Sequence, residues 1–181
     1  MIVQIRVDDR LIHGQVALLW GKELNTKGIV VANDHAAHDK TQAATLKMAC
    51  PQGQKLLIRT VEDSIKVAND PRGKDMRIFM LTQTVADAYE VASNCKGNVQ
   101  GVNIANAGRF DRSDDAQKVL LTTGVNLNPE DLEALLSLLN TLHGAWHPRD
   151  SPGGDHRPPH QGVRPSGKAR VVPSLRIPRG E

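Results

Sequence analysis

One histidine of this chain stands in a setting suited to covalent chemistry. The run Arg6-Val7-Asp8-Asp9-Arg10-Leu11-Ile12-His13-Gly14-Gln15-Val16 puts two arginines and two aspartates just ahead of a His-Gly pair. A free imidazole, with a pKa of about 6.5, is a competent nucleophile near neutral pH. A guanidinium grips phosphate oxygens through its planar fork. A carboxylate fixes the useful imidazole tautomer by accepting from the ring nitrogen that does not react. Together these groups suit phosphoryl transfer, in which catalysis is mostly positioning and charge stabilisation. His13 is the candidate nucleophile, and Arg10 the leading candidate for the phosphate oxygens. Arg6 is a second candidate, but it alternates with Ile5 and Val7, so its direction is open. For both arginines the competing reading is a surface ion pair with Asp8 or Asp9, which contributes little. Asp9 and Asp34 are the carboxylates considered for orienting His13, and the sequence does not choose between them.

The elements around His13 set its position. Ile2, Val3, Ile5 and Val7 read as a strand, and Val16-Ala17-Leu18-Leu19-Trp20 as the start of a helix. The His-Gly pair then occupies a strand-to-helix turn, beside backbone N–H groups that favour anions. Gly14 is either a plain turn residue or one that admits a close approach to the backbone. Further strands are expected at Gly28–Ala32, Lys55–Arg59, Arg77–Leu81, Val99–Ile104 and Val119–Thr122. Helices are expected at Asp39–Ala49, Val61–Ala68 and Val85–Ser93, with another starting at Asn128-Pro129-Glu130-Asp131. Such alternation specifies an α/β fold: a single domain whose central, mainly parallel sheet is flanked by helices. The carboxyl ends of parallel strands share one rim, where ligands bind. Asn33 and Asp34 fall on that rim as supporting site candidates, although Asn and Asp also favour plain turns. Thr82, Gln83, Asn106, Gly108 and Arg109 are weaker candidates there.

The string RVDDRLIHGQV resembles the N-terminal signature of the IIB components of the mannose/fructose/sorbose family of the bacterial phosphoenolpyruvate-dependent sugar phosphotransferase system. Ile29-Val30-Val31-Ala32-Asn33-Asp34 and, more weakly, Gly101-Val102-Asn103-Ile104-Ala105-Asn106 are also similar to it. The likeness runs from Met1 to about Leu136. It implies that His13 accepts a phosphoryl group, through Nδ1, from a phosphohistidine on a IIA component. It implies further that His13 passes the group to a sugar translocated by the membrane permease components IIC and IID. A phosphohistidine donor requires no metal and no cofactor. The resemblance thus implies a cytoplasmic protein peripherally associated with the permease, and leaves a homodimer open.

Composition narrows the alternatives. The net charge of +3 misleads if spread over the chain. From His147 onward there are seven basic and three acidic residues, so the remainder carries about −1. A nucleic-acid partner is not expected for the folded part. There is no apolar run of 18 residues and no signal-peptide pattern at the N-terminus. Cys50 and Cys95 have no metal-motif spacing and are expected to be reduced. His35, His38, Asp34 and Asp39 fit no strong zinc spacing, so no metal site is expected. Neither GxGxxG nor GxxxxGK[ST] occurs, against a nucleotide-binding module. A histidine-phosphatase-like enzyme is the alternative activity, but those usually carry Arg before His-Gly, where Ile12 stands here.

The domain is expected to span residues 1–140. Residues 147–181 hold seven of the ten prolines, with frequent glycine and no apolar periodicity. An irregular, disordered tail is expected, since so little apolar surface does not offset the ordering entropy. The family resemblance implies another strand and helix in this region. Their replacement favours a frameshift near Leu136 to His143 over a native extension, and a frameshifted product without function is a further alternative. Only Ala169-Arg170-Val171-Val172-Pro173 retains the character of a strand.

Overall fold

Five of the apolar runs become parallel neighbours in one sheet. The computed structural model describes residues 1–14, 20, 23–73, 75–95, 97–111, 113–144 and 170–173. Strands β1 (Ile2–Asp8), β2 (Gly28–Ala32), β3 (Lys55–Arg59), β4 (Ile78–Thr82) and β5 (Gly101–Asn106) lie in the order β3-β2-β4-β1-β5. β1 is therefore interior, parallel to β4 on one side and β5 on the other. The tips of β1, β2, β4 and β5 end on one rim, as the strand–helix alternation requires.

The helices cover both faces. On one side α1 (Asp34–His38) and α2 (Lys40–Met48) contribute Ala36 and Leu46 to a cluster with Leu11, Ile12, Ile29, Val31, Phe79 and Leu81. On the other, α3 (Val61–Asn69), α4 (Val85–Asn94) and α5 (Pro129–Gly144) pack Val61, Ala88, Val91, Leu135 and Leu138 on Ile5 and Val7. Burying each such aliphatic side chain stabilises the fold by roughly 1.5–3 kcal/mol, which explains how a chain with 3% aromatics holds a core. The chain between β5 and α5 folds into an antiparallel hairpin, β6 (Val119–Thr122) with β7 (Val125–Leu127). A bridge from Ala107 to Val125 ties this hairpin to the end of β5.

Helix starts follow the capping residues. Asn33 caps α1, Asp39 caps α2, Thr60 caps α3 and Thr84 caps α4, each side chain accepting a first-turn N–H. Asn128 accepts from the Asp131 N–H at 2.7 Å and leaves Pro129 at the first position of α5. The short α1 and the strand β7 carry no periodicity that marks them in the sequence. The helix expected over Val16–Trp20 falls on residues 15–19, which lie outside the described residues, although Gly14, Trp20 and Glu23 are helical. Most of the tail also lies outside them. Its described part, β8 (Arg170–Pro173), pairs parallel with β5 and forms a sixth member of the sheet. Those are four of the five tail residues singled out in the sequence as retaining strand character.

One helix junction carries a titratable strain. Asp131 of α5 accepts from the Ala86 N–H at 2.9 Å, so an acid from one helix caps the next. Asp87 sits close by, in the first turn of α4, where burial, with the charges of Asp34 and Asp131 adding, pushes its carboxyl up to about 6. The folded protein thus holds the Asp87 proton more tightly than the unfolded chain. Stability from this group is present at low pH and falls as pH rises from about 4 to about 6. We expect Asp87→Asn to match the parent in free energy of unfolding at pH 4 and to exceed it at pH 7, by at most about 3 kcal/mol. Melting curves of both proteins at the two pH values check this.

Candidate functional site

The site starts from the pleat of β1. Alternation along the strand puts Arg6 and Asp8 on the face opposite Ile5 and Val7. The register with β5 sets Arg6 beside Asn103 and Asp8 beside Asn106. Two polar pairs are therefore built across neighbouring parallel strands at the end of the sheet that carries the rim.

Beyond Asp8 the chain turns back sharply. The Leu11 N–H donates to the Asp8 carbonyl at 2.8 Å, and the Arg10 N–H donates to Asp8 Oδ1 at 3.2 Å. Leu11 adopts a left-handed backbone, with φ 56°, which costs a residue with a Cβ roughly 1–2 kcal/mol. Leu11 and Ile12 are both buried, and at roughly 1.5–3 kcal/mol each their burial outweighs that strain. The turn is pinned from two sides, and His13 emerges from it with its side chain 26% exposed.

Asp8 is the hub. Its carboxylate is fully buried, and Oδ2 takes three donors: Asn106 Nδ2 at 3.0 Å, Arg6 Nη2 at 3.1 Å and His13 Nε2 at 3.3 Å. Oδ1 faces the Arg10 N–H and, at 3.4 Å, Arg10 Nε. Burial alone raises a carboxyl, but the hydrogen bonds from Asn106, His13 and Arg10 and the charge of Arg6 outweigh it. They hold Asp8 below its ordinary range. An ionised Asp8 can only accept, so Nε2 of His13 carries the ring proton and Nδ1 keeps its lone pair.

The carboxylate that orients His13 is therefore Asp8, and neither Asp9 nor Asp34. Asp9 points across to the loop after β5, where Oδ1 and Oδ2 accept from the N–H groups of Gly108 at 3.2 Å and Arg109 at 2.8 Å. Burial raises its carboxyl despite those two bonds. Gly108 has φ +85°, and a Cβ there would come within 1.6 Å of the Asn126 carbonyl oxygen, so no other residue fits. Lys118, 3% exposed, donates to the Gly108 and Asp111 carbonyls and completes the clamp on this loop. Asp34 accepts from the Val61 N–H at 2.9 Å and supports the start of α3. Asn33 caps α1 and donates to Gln83 at 3.0 Å, joining the tips of β2 and β4. Thr82 is fully buried, and its hydroxyl donates to the Thr84 carbonyl.

The two arginines diverge. Arg10 is 48% exposed, with its Nε 3.4 Å from Asp8 Oδ1. Arg6 is buried: Nη1 donates to Asn103 Oδ1 at 2.8 Å, Nη2 to Asp8, and its guanidinium lies 5.4 Å from the Trp20 ring centroid. Gly14 is exposed, and a Cβ there would meet no atom within 4 Å, so room is open next to His13. His35 and His38 spend their Nδ1 atoms on Gln42 and on the Asp34 carbonyl, and among the described residues no set of three ligating side chains forms a metal site. Sequence reasoning missed Asp8, Asn103 and Trp20. The i, i+2 spacing of Arg6 and Asp8 on a strand was the signal available for Asp8.

The known proteins that the chain matches belong to one family. A family model described as the sorbose subfamily IIB component of the PTS system covers residues 2–143. A protein described as a probable phosphotransferase enzyme IIB component, from Streptococcus pyogenes serotype M6, is 55% identical over 77% of this chain and 85% of its own length. The sorbose-specific EIIB component of Klebsiella pneumoniae is 32% identical over 76% of this chain and 80% of its own length. The crystal structure of the IIBSor domain of the sorbose permease from Klebsiella pneumoniae superposes with a TM-score of 0.69. It is 29% identical and covers 77% of this chain and 82% of that domain. A mannose-specific EIIAB component of Escherichia coli K12 is 31% identical over 74% of this chain and 39% of its own length.

Proposed function

Because the chain belongs to the sorbose-subfamily IIB components of the sugar phosphotransferase system, we propose that it is a phosphocarrier enzyme with His13 as acceptor and donor. The observation that carries this reading is the pairing of His13 Nε2 with a buried, ionised Asp8 at 3.3 Å. That pairing leaves Nδ1 to attack. In the first half-reaction the Nδ1–P bond forms as the N–P bond of a IIA phosphohistidine breaks, and the IIA imidazole leaves with the electron pair. The His13 ring, still protonated at Nε2, then bears positive charge against Asp8. In the second half-reaction a sugar hydroxyl oxygen bonds to the phosphorus as the Nδ1–P bond breaks, the hydroxyl proton passes to solvent, and His13 leaves as the neutral Nε2–H imidazole.

Arg10 is the residue proposed to meet the phosphoryl oxygens. It is exposed, adjacent to His13 and tethered to Asp8 through Nε. Its charge follows the phosphoryl group through a loose transition state. Gly14 leaves open the space through which a partner's imidazole approaches. Asp9, Asn33 and Asp34 act at one remove, by fixing the loops of the rim. The partners proposed are a IIA phosphodonor and the IIC and IID permease components. The mannose-specific EIIAB relative supports a IIA partner by its composite name. No helix among the described residues is long and apolar enough to cross a membrane, so the sugar would be met at a permease, from the cytoplasmic side.

The transfer unit is proposed to lie within residues 1–140, with 147–181 a replaced, frameshifted tail that takes no part in transfer. The family match ends at residue 143. Genomic sequence read in all three frames past residue 136 tests the frameshift.

Three variants test the proposal. Incubated with phosphorylated IIA, the protein should gain acid-labile phosphate that His13→Ala abolishes; label retained on that variant overturns the assignment. Arg10→Ala should slow transfer at least 10-fold in rapid-quench experiments and shift stability by less than about 1 kcal/mol, as for an exposed ion pair. A chain ending at Gly144 should accept phosphate at the parental rate, with only the lower melting temperature that loss of β8 brings.

A further inference from the structure

Arg6 reads in the sequence as a second phosphate ligand, but its surroundings give it a different task. Its side chain is buried beneath the site, with both terminal nitrogens engaged, Nη1 on Asn103 at 2.8 Å and Nη2 on Asp8 at 3.1 Å. Trp20 lies over the guanidinium at 5.4 Å and is itself stacked on Phe79 at 6.2 Å. The Nε of Arg6 is buried without a hydrogen-bond partner. A buried ion pair is a poor stabilising device, because desolvation opposes the attraction, and an orphaned N–H adds to the cost. A guanidinium held so expensively is explained by what its charge does to its neighbour.

That neighbour is the carboxylate that holds His13. Among the described residues, the charged and titratable groups around Asp8 are Arg6 from its own strand, Arg10 and His13 from the turn, and Asp9 next to it. β5 offers only the amide of Asn106, and β4 has no charged residue. Of the two cations, Arg10 is half exposed and screened by solvent, and in phosphoryl transfer it must turn toward the phosphate. Arg6 is the cation that stays.

We propose that Arg6 is a positioning residue that acts through Asp8: it keeps the Asp8 carboxylate ionised and aimed, and thereby sets the Nε2–H tautomer of His13, without touching the phosphoryl group. This rests on the reading of His13 as the phosphoacceptor. With Arg6 neutralised, Asp8 loses its permanent countercharge inside a buried site and takes up a proton at higher pH. A protonated Asp8 donates as well as accepts, so His13 no longer has one preferred tautomer. Phosphorylated His13, a cation at Nε2–H, loses its fixed anion as well.

The test uses the full-length protein, Arg6→Gln, and Arg6→Lys, which restores the charge without the fork. Nitrogen-15 NMR of the unphosphorylated His13 ring should report the Nε2–H tautomer in the parent and in Arg6→Lys, and a mixture of tautomers in Arg6→Gln. The acid limb of the pH profile for phosphate acceptance should move up by a unit or more in Arg6→Gln, with transfer at pH 7 down about 10-fold and partly restored in Arg6→Lys. A slower rate with an unmoved limb and an unchanged tautomer would reduce Arg6 to a packing residue and overturn the proposal. A weaker apparent affinity for phosphorylated IIA, with the limb unmoved, would return Arg6 to the phosphate and overturn it equally. The tautomer is read without any transfer, so an Nε2–H ring in a protein that IIA does not phosphorylate would sink the phosphocarrier reading and leave the role of Arg6 standing.

Discussion

One buried negative charge organises this end of the molecule. Asp8 has no contact with solvent, and five donor atoms converge on its two oxygens. A carboxylate taken out of water without such partners would cost several kcal/mol or protonate. Each donor is in turn fixed by something else. Arg6 is held by Asn103 and Trp20, Asn106 by the β1–β5 register, and Arg10 and His13 by a turn anchored through Leu11 and Ile12. The His13 ring is thus oriented by the sheet itself, and in the proposed phosphocarrier role the reactive nitrogen is the one the carboxylate leaves free.

The second carboxylate of the signature does different work at the same place. Asp9 reaches across to the loop after β5 and locks it through two N–H groups, while Gly108 folds under Asn126 in a conformation closed to other residues. Adjacent aspartates therefore face opposite tasks: one carries charge toward His13, the other builds the wall beside it. Their environments push their carboxyls apart: hydrogen bonds from Asn106, His13 and Arg10 and the charge of Arg6 hold Asp8 down, whereas burial raises Asp9 against the pull of its two backbone amides.

Much of this was legible in the sequence, because parallel α/β architecture leaves strong local marks. Continuous β-branched runs such as Ile29-Val30-Val31 located the strands, and Asn128-Pro129 located a helix start to the residue. The His-Gly turn on the shared rim followed from the same alternation. The choice among carboxylates did not. Asp8, Asp9 and Asp34 are equivalent as residue types, and only the register between β1 and β5, a contact across some 98 residues, aims Asp8 at His13. The fate of Arg6 was hidden for the same reason. Strand alternation says that it shares a face with Asp8, but its burial under Trp20, which stacks on Phe79, is a contact between segments distant in the chain. The strand of Arg170–Pro173 falls within the one stretch of the proline-rich tail whose residues keep strand character, and it adds to the open edge beside β5.

The central claim is that Asp8 occupies Nε2 and so gives the phosphoryl group to Nδ1. The direct measurement is nitrogen–phosphorus NMR of the protein after phosphorylation by its IIA partner, which identifies the ring nitrogen bonded to phosphorus. The expected result is phosphorus on Nδ1 of His13, with Nε2 protonated and hydrogen-bonded to Asp8. Phosphorus on Nε2 would mean that the Asp8 contact breaks before transfer, and would contradict the account at its root.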